Sequence, residues 1–232
     1  MALYTLSDTH LSFQTEKPMD IFGPRWQNHA DKIQKNWCSL ITEKDTVVIP
    51  GDITWAMTLS EAVEDFRFLA SLPGKKIIGK GNHDYWWQTR KKVEDFFLAN
   101  GFENLTLLYG DAILVEDKIV CGTRGWYNDG AKIKNCDYEK IVSREAGRLT
   151  RSLAAAEKLG TEEKIAFLHF PPVFGDFVCR ELLDVLHTHN IQRVYYGHIH
   201  GVYNVPSHFD FEGIRFTIIA SDYLNFVPVR VF

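Results

Sequence analysis

Five short apolar runs in this sequence end in residues that can bind metal ions, and the runs are spread over nearly the whole chain. We predict strands at residues 3–6, 46–49, 76–78, 164–168 and 193–196. The residues that follow these strands are Asp8, His10, Asp52, Asn82, His83, His169, His198 and His200. In open α/β sheets, functional groups gather at the carboxyl ends of the strands. The fold must therefore be one that lets five distant loops meet at one edge.

The last of these loops carries two histidines in Gly197-His198-Ile199-His200. If the chain stays extended past residue 196, side chains two positions apart point to the same side. A His-x-His pair also occurs at exposed strand edges, so the prediction depends on all five loops together. The remaining histidines follow no such strand end, and we expect surface or capping roles for them. They are His29, His187, His189 and His208.

Helical patterns alternate with the predicted strands at both ends of the chain. Helices are predicted at residues 26–41, after a capping box at 58–61, around 93–97, and at 137–159 and 179–189. Residues 105–109, 112–116 and 118–122 are instead separated only by turns, which predicts an antiparallel meander. A loop at 12–24 and two final strands at 214–220 and 227–232 complete the pattern. We predict a single α/β domain over residues 1–232.

Composition excludes several classes of protein. With 45% hydrophobic and 24% charged residues, the 232-residue chain can bury a full core. A net charge of −4 disfavours general nucleic-acid binding but permits a small phosphorylated substrate held by metal. The four cysteines are well separated, which predicts reduced thiols. No signal peptide or membrane span is recognisable, so we expect a cytoplasmic location without membrane contact; the sequence does not indicate the oligomeric state.

The types of the strand-end residues fit two adjacent divalent cations. Carboxylate and imidazole groups with one amide oxygen suit Mn, Fe, Zn, Co or Ni. The absence of cysteine among them argues against a structural zinc site. Asp52 follows a central strand and can bridge, because its two oxygens can each bind one ion.

Five segments of the sequence resemble the ordered motifs of the calcineurin-like metallophosphoesterase superfamily. These segments are Asp8-x-His10, Gly51-Asp52, Gly81-Asn82-His83-Asp84, the lone His169, and Gly197-His198-x-His200. The similarity extends from residue 8 to residue 200, and the segment 82–87 is similar to a bacterial branch of the superfamily. Many members continue the second motif with Asp or Asn and Arg, whereas Ile53-Thr54-Trp55 follows Asp52 here. The resemblance implies a four-layer sandwich, in which two mixed β-sheets pack face to face with helices on the outside.

The resemblance also implies roles for individual residues. One metal would be held by Asp8, His10, Asp52 and His200, and the other by Asp52, Asn82, His169 and His198. His83 would contact the phosphate beside Asn82 and help the leaving group depart. The implied activity is hydrolysis of a phosphomonoester or phosphodiester by a metal-bridging hydroxide.

Other residues near these motifs have two interpretations each. Asp84 would orient the His83 imidazole or cap the next helix. Arg124 would bind a phosphate or carboxylate, or remain a solvated loop residue. Trp126 and several other rings would either stack on a flat substrate group or pack in the core. These other rings belong to Trp55, Trp86, Trp87, Tyr127, Phe174 and Phe177.

Two other functions remain open at this stage. A metal-dependent nuclease would have the same architecture, but the net charge and the lack of a basic stripe disfavour it. A catalytically silent scaffold or binding module would use the same fold without the chemistry. Such relatives typically lack some ligands or the motif histidine, and this sequence has all of them.

Overall fold

The computed structural model describes residues 1–126, 138–160 and 163–232. Tyr127, Cys136 and Asp137, which entered the sequence predictions, lie outside the described residues. The strands are β1 (Leu3–Thr5), β2 (Thr46–Ile49), β3 (Lys75–Ile78), β4 (Leu105–Leu107), β5 (Ala112–Val115), β6 (Lys118–Thr123), β7 (Glu163–Leu168), β8 (Val173–Phe174), β9 (Phe177–Val178), β10 (Arg193–Tyr196), β11 (His208–Phe211), β12 (Ile214–Ile218) and β13 (Val229–Arg230). The α-helices are α1 (His29–Leu40), α2 (Val63–Ser71), α3 (Arg90–Ala99), α4 (Tyr138–Leu159) and α5 (Arg180–Thr188).

Two mixed sheets dominate the described structure. The first has the order β13-β1-β2-β3-β4, in which all neighbours except the β13–β1 pair are parallel. The second has the order β11-β12-β10-β7-β6-β5, with a parallel centre and an antiparallel pair at each edge. All five strands that were predicted to carry site residues at their carboxyl ends lie in the parallel parts of these sheets.

Alternation along the strands explains why the sheets pack in four layers. In β2, Val47 and Ile49 pack against α1, α2 and α3, while Val48 points the other way. Val48 joins residues of both sheets, including Ile165 of β7, in a core between the sheets. A third cluster lies between the second sheet and helices α4 and α5. The predicted sandwich of two mixed sheets with helices outside is confirmed.

The predicted meander is wrong for its first strand. β4 pairs in parallel with β3, where Thr106 lies opposite Ile77, whereas β5 and β6 form an antiparallel pair in the other sheet. The turn at Gly110 therefore carries the chain from one sheet to the other. A turn signal is local, and it does not specify which strand will be the partner.

Other differences concern short or irregular elements. Trp26 ends a 3-10 turn and precedes α1, so it does not belong to that helix. Strands β8, β9 and β11 were not predicted, and their low hydrophobic contrast or two-residue length explains this. The cysteines at 38, 121 and 179 are free thiols. Within the described ranges, no helix has the length and apolarity needed to cross a membrane.

Candidate metal centre

Backbone hydrogen bonds join the loops that follow the parallel strands. The N–H groups of Asp8 and His10 donate to the carbonyl oxygens of Gly51 and Asp52, both at 3.0 Å. The N–H of His198 donates to the carboxylate of Asp8 at 3.0 and 3.1 Å. Hydrogen bonds of the backbone N–H groups thus hold the loops after β1, β2 and β10 together, independently of any bound metal.

The structure brings all seven predicted metal-binding residues together at this edge. Their potential donor atoms fall into two groups, within each of which all atoms lie within 4.8 Å of one another. The groups are Asp8, His10 and His200, and Asp52, His169 and His198. Asn82 adjoins the second group, because its Oδ1 lies 2.8 Å from Nε2 of His169.

The carboxylate of Asp52 lies between the two groups. Its Oδ2 is 3.7 Å from Nε2 of His10 and 3.4 Å from Nε2 of His169. Its Oδ1 accepts a hydrogen bond from the N–H of His83 at 2.8 Å, which fixes the carboxylate orientation. The position of Asp52 is that expected of a ligand shared by two ions.

The donor arrangement fits cations better than it fits a network of hydrogen bonds. Nε2 of His10 and Nε2 of His200 lie only 3.3 Å apart and face the same space. Nδ1 of His169 is buried, lies 3.8 Å from Oδ1 of Asp8, and has no hydrogen-bond partner among the described residues. Clustered imidazole and carboxylate donors of this kind suit Mn, Fe, Zn, Co or Ni.

Burial keeps two of the imidazoles in the neutral form that binds metal, whereas it favours the protonated form of Asp52 as long as no cation is bound. Burial, reinforced by neighbouring imidazoles, lowers the pKa of His10 and of His169 well below its usual value. Both rings are therefore neutral, with a lone pair available. Burial, together with the charges of Asp84 and Asp8, raises the pKa of Asp52 well above its usual value. A bound cation would relieve this crowding of negative charge.

Asp222 orients His200, and the sequence analysis missed it. Nδ1 of His200 donates to Oδ1 of Asp222 at 2.7 Å, so that Nε2 faces the centre. Burial alone would lower the pKa of His200, but hydrogen bonds with Asp222 and Asp8 raise it to about 10. Asp222 also accepts hydrogen bonds from the Gly201 N–H and the Tyr203 hydroxyl. The available signal was its position shortly after β12, at another strand end.

The backbone of the centre is strained at four of the predicted ligands. Asp8, His10, Asp52 and His198 have φ angles of 62°, 44°, 52° and 68°. Each non-glycine residue in this region costs on the order of 1–3 kcal/mol. The strain therefore has to be offset by the surrounding hydrogen bonds, and it aims the ligands into one space. Such outliers typically cluster at functional sites.

Asp84 connects the second and third motif loops. Its carboxylate accepts hydrogen bonds from the N–H groups of Gly81, Asp52 and Ile53, and from the indole N–H of Trp86, at 2.7 to 3.0 Å. These four bonds use the full acceptor capacity of the carboxylate. Asp84 thus positions the backbone of Asp52, which differs from the expectation that it orients the His83 imidazole. The capping alternative is wrong, because α3 begins at Arg90, well after Asp84.

His83 lies at the mouth of the centre in a pocket of aromatic side chains. Its ring centroid is 4.3 Å from that of Trp55 and 5.7 Å from that of His10. The pocket has a cavity volume of about 300 Å³. The pocket is lined by His10, Met19, Phe22, Trp26, Trp55, His83, His200 and Gly201. Trp55 and Trp26 therefore do more than pack in the core.

Three other residues that the sequence singled out do not line the mouth pocket, and Trp126 takes the packing role that was one of its two interpretations. Arg124 lines a separate cleft and pairs with Glu145 at 3.3 Å. Trp126 packs on Phe170, with ring centroids 5.7 Å apart, and neither Arg124 nor Trp126 lines the mouth pocket. His29 was expected at the surface or at a cap, but its half-buried ring donates to the carbonyl oxygen of His10 at 3.2 Å. His29 thus holds the backbone of His10, a predicted metal ligand, through this hydrogen bond.

A two-sheet sandwich that gathers paired carboxylates and imidazoles at one edge is the architecture of a metal-dependent hydrolase. The family model of the calcineurin-like phosphoesterases matches residues 1–202, and the chain belongs to this family. The protein is therefore a metal-dependent phosphoesterase.

Solved structures share the fold at low sequence identity. A protein of unknown function from Aquifex aeolicus is 17% identical, with a TM-score of 0.53 over 99% of this chain and 95% of that chain. A protein from Thermus thermophilus is 14% identical, with a TM-score of 0.57 over 95% and 89%. Phosphopantetheinyl hydrolase from Mycobacterium tuberculosis is 15% identical, with a TM-score of 0.54 over 100% and 95%. No curated protein matches the chain.

Proposed function

We propose that the protein hydrolyses a small phosphomonoester or phosphodiester with two divalent cations bridged by Asp52. The observation that carries this proposal is the place of Asp52 Oδ2, 3.7 Å from the His10 imidazole and 3.4 Å from that of His169. One cation would be held by Asp8, His10, Asp52 and His200, and the other by Asp52, Asn82, His169 and His198. When bound, such a pair activates water and neutralises the charge that develops on the phosphoryl group.

His83 is the residue of this chain best placed to act on the leaving group. Its ring lines the mouth pocket beside His10 and His200, and its backbone is fixed by the bond to Asp52. As an imidazolium, His83 would donate a proton to the departing oxygen. A positioned general acid of this kind contributes about 10²–10⁴-fold in rate.

The mouth pocket suits a flat or apolar organic group on the substrate. The rings of Trp55 and Phe22 are nearly parallel, at 6°, with centroids 6.5 Å apart. Phe22 is 59% exposed, which leaves an apolar surface at the entrance. Aromatic walls of this kind recognise an organic group by contact area. They do not provide the basic track that a nucleic acid needs, so we expect a small substrate and no general nucleic-acid binding.

Metal analysis combined with an ester assay tests this function. We expect the manganese-loaded protein to carry two metal ions per chain and to hydrolyse p-nitrophenyl phosphate, its bis ester, or both. Asp52→Asn should reduce the metal content and abolish turnover. The matched control Asp210→Asn removes an exposed carboxylate that pairs with Arg215, and it should change neither.

The same assay separates the competing functions. Absence of both metal and turnover would contradict the proposal and favour a scaffold. Turnover of DNA or RNA together with inactivity on the small esters would favour a nuclease. A panel of phosphorylated metabolites and cyclic nucleotides would then narrow the substrate. Phosphopantetheine esters belong in this panel, because one structural neighbour is named for that hydrolysis.

A further inference from the structure

A second cleft lies beside the metal centre and contains none of its ligands. Its cavity volume is about 140 Å³, and its walls include residues of β6 and β7 of the second sheet together with residues that directly follow β2, β3 and β4 of the first sheet. Pro50, Lys80 and Phe167 line it, and each stands two positions before a predicted ligand, namely Asp52, Asn82 and His169. Two residues of extended chain span about 7 Å. We call this cavity the basic cleft.

Four cationic side chains line the basic cleft against one carboxylate. The cations are those of Lys80, Arg124, Arg148 and Arg151, and the carboxylate is that of Glu145. The cleft therefore has a surplus of three positive charges. This surplus contrasts with the net charge of −4 for the whole chain.

The carboxylate of Glu145 is hydrogen-bonded to other residues of the cleft wall. It is fully buried, and its carboxylate accepts hydrogen bonds from the Thr123 hydroxyl at 3.0 Å and from the guanidinium groups of Arg124 and Arg148. One carboxylate is thus shared between two guanidinium groups. Its single negative charge therefore cannot balance all four cations of the cleft.

Lys80 and Arg151 supply the unneutralised charge. Within residues 1–126, 138–160 and 163–232, neither side chain makes a hydrogen bond or ion pair with another residue. The guanidinium of Arg151 packs over Gly110, which has no side chain to displace it. Lys80 is half-buried, so leaving its cation unpaired costs free energy that a bound anion would recover, whereas the exposed Arg151 adds positive charge to the cleft without that cost.

The chemistry of the lining identifies the anion. Guanidinium forks match the oxygen geometry of a phosphoryl group, and an ammonium adds a mobile point charge. The rings of Trp87 and Tyr109 stack at 6° and 5.6 Å along one wall and provide an apolar side. A network of structural ion pairs would instead show carboxylates and cations in similar number.

We propose that the basic cleft binds a phosphoryl dianion at a position separate from the group that reacts at the metal centre. The binding needs only Lys80, Arg151 and the two arginines that share Glu145. It does not depend on the proposed hydrolysis, so the two proposals can fail independently. The dianion can come from free phosphate or from a second phosphoryl group of the substrate.

Binding of inorganic phosphate to the manganese-loaded protein tests the proposal by titration calorimetry. We expect the double variant Lys80→Gln and Arg151→Gln to lose one phosphate equivalent, or to bind that equivalent about tenfold more weakly or worse. The control double variant Lys91→Gln and Arg144→Gln removes the same charge from exposed positions on α3 and α4. It should bind phosphate like the wild type. Equal metal content and equal unfolding midpoints would show that the variants are folded.

Two outcomes would overturn the proposal. One is unchanged phosphate binding in the cleft variant, and the other is an equal loss in the control variant, which would reflect net charge alone. If the cleft variant alone is weakened, kinetics assign the source. An increased KM for a sugar bisphosphate, but not for p-nitrophenyl phosphate, indicates a second substrate group. Loss of a noncompetitive phosphate effect on p-nitrophenyl phosphate turnover indicates free phosphate.

Discussion

Asp222 orients a predicted metal ligand, His200, although the two residues are 22 positions apart in the sequence. Its carboxylate fixes the ring of His200 through Nδ1, and it also holds Gly201 and Tyr203. Because ligands are oriented by the groups behind them, loss of such a partner typically weakens metal binding about 10–100-fold. We expect Asp222→Asn to weaken the binding of one metal equivalent by this factor. Competition with a chelating dye measures it.

The control for Asp222 is Asp210→Asn, which removes a carboxylate from an exposed strand. It should leave metal affinity unchanged. If Asp222→Asn also binds both metal equivalents with the affinity of the wild type, then His200 does not need this partner and the orienting role is wrong.

Replacing His83 tests the chemical step separately from metal binding. Its side chain lies at the mouth pocket and is not a member of either donor group. We therefore expect His83→Ala to keep its metal content while kcat falls by about 10²–10⁴-fold. Elemental analysis and steady-state kinetics on the same sample measure both. A loss of metal in this variant would mean that the ligand assignment must be revised.

The sequence indicates the candidate ligands more clearly than the residues that orient them, for a physical reason. Asp8, Asp52 and His169 are recognisable in the sequence because each follows an apolar strand. Asp222 and His29 act through contacts to ligands that are remote in sequence, at separations of 22 and 19 residues. No local pattern records such contacts, and they become visible only when the loops are assembled.

At the scale of elements, the loops of the second and third motifs pack so closely that a glycine is required. A methyl group on Gly81 would overlap the carboxylate and backbone of Asp52. We expect Gly81→Ala to destabilise the fold by about 1–3 kcal/mol, a typical cost of overpacking. It should also displace Asp52 and so reduce the metal content. Chemical denaturation and elemental analysis measure the two effects.

Gly147 on α4 is the matched control for this substitution. No atom lies within 4 Å of the position that its methyl group would occupy, and the residue is exposed. Because alanine favours helix, Gly147→Ala should stabilise the protein by about 0.5–1 kcal/mol and leave the metal content unchanged. Equal effects of the two substitutions would show that close packing of the loops is not the cause.

Elements with strong periodicity were predictable, and their pairing was not. The strands β2, β3, β7 and β10 are buried and continuous, so composition alone marks them. β4 was assigned to the wrong partner, because pairing depends on which sheet the chain enters after a helix. The mouth pocket was missed because Phe22 lies on an irregular 3-10 turn, and because Trp26 fitted the helical spacing of residues 26–41 although it ends a second 3-10 turn before α1.

The packing of the layers buries the side chain of Lys76, and this burial lowers the free energy of unfolding at neutral pH. Lys76 on β3 is fully buried, and its ammonium donates to the carbonyl oxygen of Leu72. Burial lowers the pKa of Lys76 from 10.5 to about 8. The unfolded chain then binds more protons than the folded chain between about pH 8 and pH 10.5, so the free energy of unfolding rises with pH in that window.

Lys76→Met should remove this pH dependence. A shift of this size is worth about 3 kcal/mol, and the lost hydrogen bond to Leu72 costs about 1 kcal/mol. We therefore expect the variant to be about 2 kcal/mol more stable than the wild type at pH 7, equal to it at about pH 10, and about 1 kcal/mol less stable above that pH, where only the lost hydrogen bond remains. Denaturation at several pH values measures both. The neighbouring exposed Lys75→Met should show no such change, and a similar pH profile in both variants would contradict this account.

Two cavities of different chemistry lie near the candidate metal centre. The mouth pocket is apolar and aromatic and contains metal-binding residues, whereas the basic cleft is cationic and contains none. Both lie at the carboxyl ends of the parallel strands, where the two sheets meet. The fold thus provides an apolar cavity and a cationic cavity near one candidate metal centre.

Anomalous diffraction from crystals of the manganese-loaded protein would locate the metal ions and their ligands. We expect two peaks about 3.5–4 Å apart, with the Asp52 carboxylate bound to both. Asp8, His10 and His200 should surround one peak, and Asn82, His169 and His198 the other. A single peak, or two peaks that do not share Asp52, would show that Asp52 does not join two cations.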